Sequence, residues 1–133
     1  SEGHSVQKMV EIERKLRGVG VKRILFLGPT PKWNAALPNI VARRLWRTKP
    51  RRTFVGVNRN VLTDNAQILV NFPKMERGQF VDVAGFFCDS KGCLVYTGNS
   101  IYDSLTTWDD GHLTPSASKY LAKHLLVGLI ADN

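Results

Sequence analysis

The segment Val21 to Leu27 lies between Gly18-Val19-Gly20 and Gly28-Pro29-Thr30-Pro31, and it constrains the fold more than any other stretch. It is short and nearly continuously apolar. Its lack of strict apolar/polar alternation predicts a strand buried on both faces, as in a parallel sheet. The Gly-Pro-Thr-Pro run stops that strand and starts an extended loop. Upstream, Val6, Met9, Val10, Glu13 and Leu16 recur at near-helical spacing, so a helix is expected from Val6 to Leu16, ended by Gly18 and Gly20.

Downstream, Pro38 suits the first turn of a helix reaching Arg47, with Ile40, Val41 and Leu45 inward. Lys49 to Arg52 reads as a basic loop. Thr63 reads as the N-cap of a helix running through Phe72. Phe80 to Val83 reads as a second buried strand. Cys93 to Tyr96 and Ser100 to Tyr102 flank Thr97-Gly98-Asn99 and predict a hairpin. Thr114 then caps a final helix with Pro115 at its first position and an apolar stripe of Ala117, Tyr120, Leu121, His124, Leu125 and Leu129. This order is that of an α/β protein with a mainly parallel sheet. Only two long-range core strands are evident, fewer than a sheet covered on both faces normally has. Further strands are expected either in stretches without a clear strand pattern or outside the chain.

Length and composition describe one globular domain, with 133 residues, 43% of them apolar and 23% charged. The longest apolar runs are core-sized, well short of the ~20 residues that cross a bilayer. The net charge is +8, and Arg43, Arg44, Arg47, Lys49, Arg51, Arg52 and Arg59 crowd one central stretch. A nucleic-acid surface would interleave stacking aromatics or present a known module. Here Trp46 is the only aromatic within the cluster, with Phe54 near its end. The patch therefore reads first as a solvated helix face running into a loop, and no nucleic-acid partner is expected. Anionic glycan or lipid headgroups could use the same charges. Cys88 and Cys93 bracket Asp89-Ser90-Lys91-Gly92, a spacing that closes a small disulfide loop if the Cα atoms come within ~7 Å. Two buried free thiols are the alternative; the disulfide is favoured, and it implies an oxidising compartment. No metal site is expected, because His4, His112 and His124 lie far from the cysteines without ligand spacing.

The segment Trp108-Asp109-Asp110-Gly111-His112-Leu113-Thr114-Pro115 carries the most chemistry. In a tight loop the Asp109 carboxylate can reach the imidazole Nδ1–H of His112, fixing its tautomer and leaving the other nitrogen as a general base. Taken alone, an Asp-x-x-His match is as well explained by a turn before a helix. The stretch resembles the last block of the SGNH, or GDSL-type, hydrolase superfamily, where such a pair completes a Ser-His-Asp triad. It is closer to the SGNH domains fused to membrane acyltransferases of the acyltransferase-3 family, which modify bacterial surface polysaccharides. Three signals occur in that branch's order: the strand ending in Gly28-Pro29-Thr30-Pro31, the Cys88–Cys93 loop, and Gly98, Ile101-Tyr102 and Asp109 to Thr114 before the last helix.

The resemblance implies a three-layer α/β/α fold of SGNH-hydrolase or flavodoxin-like type. Residues 1–133 would form a single SGNH-like domain, the C-terminal part of a larger protein, lacking the N-terminal strand or strands. It implies Asp109 and His112 as triad acid and base, and Gly28 and Pro29 would line the cleft at a strand end. The family's Gly-Asp-Ser nucleophile block is not found. Gly3-His4-Ser5 has no strand before it, and Gly98-Asn99-Ser100 and Asp103-Ser104-Leu105 lie in the presumptive hairpin segment. The implied activity is transfer of an acyl group, acetyl first, to a sugar hydroxyl through a serine outside the chain. The acyl donor would come from a membrane acyltransferase domain and the acceptor would be a glycan, without metal or organic cofactor. The expected location is periplasmic, as a domain of an inner-membrane protein. A free-standing acetyl esterase of the same superfamily is the second reading. A non-catalytic basic module binding nucleic acid or anionic polymer is the third.

Overall fold

The computed structural model describes residues 2–131, with side chains from Val6 onward. Helix α1 (Glu2–Gly18) outruns the expected 6–16 span at both ends. Glu13, which the spacing put on the inward stripe, is indeed buried at 4% exposure. Strand β1 (Ile24–Leu27) begins three residues after the expected Val21, and its last residue, Leu27, is exposed rather than buried. Then comes α2 (Leu37–Ile40), which widens into a π-helical turn over Val41–Leu45. Lys49 closes that helix: its φ is 45° and its ammonium donates to the Trp46 carbonyl at 2.8 Å. A cation on the last carbonyls of a helix is favourably placed against the dipole.

The expected basic loop ends in a strand, β2 (Arg52–Thr53). Helix α3 spans Arg59–Asn71, capped by Asn58, whose side chain accepts from the Asn60 N–H at 3.1 Å. Thr63 is not the cap: its hydroxyl bonds back to the Arg59 carbonyl at 3.2 Å, one turn inside the helix. Strand β3 is Gly78–Val81, ending two residues before the expected Val83. Asp82 ends it by accepting from the Gly85 N–H at 2.8 Å, which nucleates the short helix α4 (Val83–Phe87). Strands β4 (Cys88–Asp89) and β5 (Gly92–Leu94) form a tight hairpin. Helix α5 (Pro115–Leu121) continues through a π-helical turn, Ala122–Leu126, into Val127–Ala131. Thr114 caps it as the sequence predicts, accepting from the Ala117 N–H at 3.1 Å. His124, in the π-helical turn, is exposed, with its ring 4.5 Å from that of Tyr120.

β1 and β3 pair in parallel, Ile24 opposite Gly78 and Leu27 opposite Val81. Helices cover both faces of the pair. Phe26 and Phe80 meet Phe72, just after α3, at ring distances of 6.1 and 5.3 Å. On the other face Leu25 and Val81 pack with Ala117 and Leu121 of α5. The three-layer α/β arrangement follows from these two apolar faces. The remaining strands form a separate antiparallel sheet in the order β2-β5-β4. Cys88 and Cys93 stand directly opposite each other in it and are joined by a disulfide. A second cluster, including Trp33, Leu37, Val41, Leu45, Cys93 and Val95, packs α2 against this sheet.

The hairpin expected after Cys93 has a different return arm. Tyr96 pairs with Leu105, and the Thr106 N–H donates to the Val95 carbonyl at 2.9 Å. Ser100 to Tyr102 belong to the turn instead. Ser104 holds that turn together, accepting from the Gly98 N–H at 3.0 Å and donating to the Ser100 carbonyl at 2.6 Å. Satisfying these buried backbone groups lengthens the loop by several residues.

Candidate active site

The return arm delivers the chain into the loop from Thr107 to Leu113, whose ends pair as a single antiparallel bridge. Asp109 organises the loop interior. Its Oδ1 accepts from the Gly111 N–H at 2.8 Å and the His112 N–H at 2.6 Å, while Oδ2 lies 2.5 Å from Nδ1 of His112. An aspartate at a turn readily takes this arrangement, because its short side chain reaches backbone donors two and three residues on. With Nδ1 engaged as donor, Nε2 carries the lone pair, and the imidazole is 77% exposed. Trp108 lies nearly parallel to the imidazole, with ring centroids 5.6 Å apart and 21° between planes.

The surrounding loops fix this arrangement. Thr107, fully buried, donates its hydroxyl to the Asp109 carbonyl at 3.0 Å. Thr114 donates to the Leu105 carbonyl at 2.6 Å while capping α5. The chain after β1 straps across the same loop. Thr30 donates to the Gly111 carbonyl at 2.8 Å, the Trp33 N–H to the Asp110 carbonyl at 2.8 Å, and the Leu37 N–H to the Asp109 carbonyl at 3.0 Å. The aliphatic part of Lys32 lies over Gly111, close enough that a Cβ there would be 3.3 Å from Lys32 Cγ.

The Asp109 carboxyl is held down to about 2, mainly by the Gly111 and His112 backbone N–H groups and then by the His112 side chain. It is therefore ionised at any pH near neutrality. A carboxyl whose folded value is lowered contributes stability that is present above about pH 4 and lost as pH falls through about 2. Urea unfolding of the wild type should show that loss between these limits, and Asp109→Asn should show less of it. An unchanged pH slope in the variant would contradict the assignment.

Gly28 stands at the end of β1, its N–H donating to the Val81 carbonyl at 2.8 Å, and a Cβ there would lie 2.5 Å from Phe80 Cζ. Gly28 and half-buried Pro29 lead into the strap, whereas Thr30, Trp33 and Leu37 make the hydrogen bonds to the loop. Gly3-His4-Ser5 falls within α1, away from any strand-to-helix turn. Ser100 and Ser104 are bonded within their own turn. Among the described residues no serine hydroxyl is hydrogen-bonded to His112, and no three metal-ligating side chains converge.

The basic stretch divides in two. Arg51 stacks on Tyr96 at 4.3 Å, Arg59 on Phe54 at 4.3 Å, and Arg52 donates to the Phe87 carbonyl at 2.8 Å. These cations bind the fold together. Arg43, Arg44 and Arg47 are exposed, and among the described residues none of them is paired with a carboxylate.

Compared with known proteins, residues 4–126 match the family described as the SGNH domain (fused to AT3 domains). Among solved structures, the chain is similar to the Salmonella ser. Paratyphi A lipopolysaccharide acetyltransferase periplasmic domain. The two share 28% identity at a TM-score of 0.84 over 98% of this chain. This chain spans about half of that one, 51% of its length. No curated protein matches the chain.

Proposed function

The chain belongs to the SGNH domains found fused to AT3 domains, and on that premise we propose that it serves acyl transfer to a bacterial surface polysaccharide. The observation that carries this reading is the His112 imidazole, oriented through Nδ1 by an ionised Asp109 and open to solvent at Nε2. That is the geometry of a general base and acid awaiting a nucleophile.

In this reading the nucleophile is a serine beyond residues 1–133. Nε2 takes the serine proton as the hydroxyl attacks the acyl carbonyl, and returns it to the departing group of the donor. The serine is left as an acyl ester. A sugar hydroxyl then attacks that ester, giving its proton to Nε2, and the proton returns to the serine as it leaves. Asp109 orients the imidazole and stabilises the imidazolium formed in each half. Gly28 and Pro29 border the cleft at the carboxyl end of β1. The acyl group is acetyl, delivered by the AT3 membrane domain, and the module needs no metal or organic cofactor. The Cys88–Cys93 disulfide and the periplasmic origin of the similar structure support a periplasmic location.

The test is acetylation of cell-surface glycan by the whole protein in a host lacking its own O-acetyltransferase. Acetyl esters read by NMR of purified glycan, present with the intact gene and absent without it, are expected. A well-expressed protein that leaves the glycan unmodified would overturn the proposal.

A further inference from the structure

The strap from Trp33 to Leu37 is anchored at both ends on the Asp109–Asp110 backbone, through the Trp33 and Leu37 N–H groups. Between those anchors the Asn34 N–H donates to the Gly56 carbonyl at 2.7 Å. Asn34 and Ala35 form one wall of an open cleft, enclosing about 450 Å³ with its solvent. Asn39, Ile40, Arg43 and Arg44 of α2 and its π-helical turn form another wall, and Gly56 completes the lining. Gly56 has φ 78°, and a Cβ there would lie 2.8 Å from the Ile40 Cδ1, so its lack of a side chain leaves room beside Ile40.

Over a mainly apolar floor that includes Ala35 and Ile40, Asn34 and Asn39 bring carboxamides and Arg43 and Arg44 bring guanidiniums. Both arginines lack carboxylate partners among the described residues, and the cleft is lined by neither an aromatic side chain nor an acid. A neutral sugar or a nucleobase would favour an aromatic stacking face. An anionic sugar needs instead a planar cation for its acid group and amides for its hydroxyls.

We infer that this cleft is the acceptor subsite, and that it takes a saccharide carrying a carboxylate or phosphate. This rests on the acyl-transfer reading for its role but not for its binding chemistry. Because the strap is bonded to the dyad loop at both ends, an acceptor seated between Asn34 and Arg43 is held next to the segment that carries His112.

Calorimetric titration of the 133-residue chain with an oligogalacturonide, a sugar phosphate, a neutral malto-oligosaccharide and single-stranded DNA tests the inference without turnover. At least one of the two acidic saccharides should bind at least tenfold more tightly than the neutral one, and which does identifies the acid group. Arg43→Gln and Arg44→Gln should each weaken that binding about tenfold or more, as expected for a lost charged hydrogen bond. Both side chains are exposed, so folding should survive, with circular dichroism as the check. His112→Ala should bind the acidic saccharide as well as wild type. Equal affinity for the neutral sugar, tighter binding of DNA, or no loss in the arginine variants would overturn the subsite. A wild-type whole protein that leaves glycan unacetylated while the saccharide still binds would instead count against the catalytic reading.

Discussion

Replacing His112 by alanine in the whole protein should lower glycan acetylation about 10³-fold or more, with protein level and folding unchanged. The expectation rests on where the imidazole stands. It is 77% exposed, its ring lies against that of Trp108, and it belongs to neither core cluster, so truncation leaves no cavity in them. What it removes is the proton carrier for both halves of the transfer. Asp109→Asn is a sharper probe. The carboxamide oxygen can still accept from the Gly111 and His112 N–H groups, so the loop should survive. Its NH₂ can no longer accept from Nδ1, which disturbs the tautomer, and the charge opposite the imidazolium is gone. A fall of about 10²- to 10⁴-fold in kcat with little change in KM is expected. Rates measured by formation of acetyl ester on purified glycan would decide it. Wild-type turnover in His112→Ala would remove the dyad from the mechanism.

The dyad was legible because its geometry is local. An aspartate three residues before a histidine, ahead of a Thr-Pro helix start, determines most of the loop through contacts within a few residues. β1 was legible for a different reason: apolar packing against helices on both sides of the sheet leaves a nearly continuous apolar run, although only Ile24 is buried and Leu27 is exposed. The strap was not legible. Trp33 and Leu37 touch the dyad loop through their backbone N–H groups, which every residue but proline has, so side-chain identity carries no signal of the contact. β2 was hidden likewise. Arg52 and Thr53 form a strand only because β5 lies alongside, and an arginine in a charged run looks like loop until its carbonyl partners are known. The run from Phe80 to Phe87 is apolar enough to suit strand or helix, and the switch falls at Asp82, whose capping role depends on folding back to Gly85. The cap at Asn58 is hidden in the sequence because α3 opens with Arg59 and Asn60, ahead of its apolar stripe.

Gly92→Ala should do the most damage to the fold of any small substitution. Gly92 is buried at the first residue of β5 with φ 124°, a region open in practice to glycine alone. A Cβ there would fall on the carbonyl carbon of Thr53, with the carbonyl oxygen at 2.6 Å and Cα at 2.7 Å. These are backbone atoms of β2, held in register by the Thr53–Cys93 and Arg52–Leu94 pairs, so no rotamer change can relieve the overlap. Strain and overpacking together should cost about 3 kcal/mol or more, a large share of the stability of a domain this size. The loss reaches the dyad, because β5 continues into Val95, and Val95 receives the Thr106 N–H from the arm that leads to Asp109. Gly128→Ala is the control. It lies in the last helical segment with nothing within 4 Å of its added Cβ, and helix propensity predicts a gain of about 1 kcal/mol. Urea midpoints moving in opposite directions for the two variants are expected. A Gly92→Ala protein as stable as wild type would mean that β2 does not pair with β5 as described.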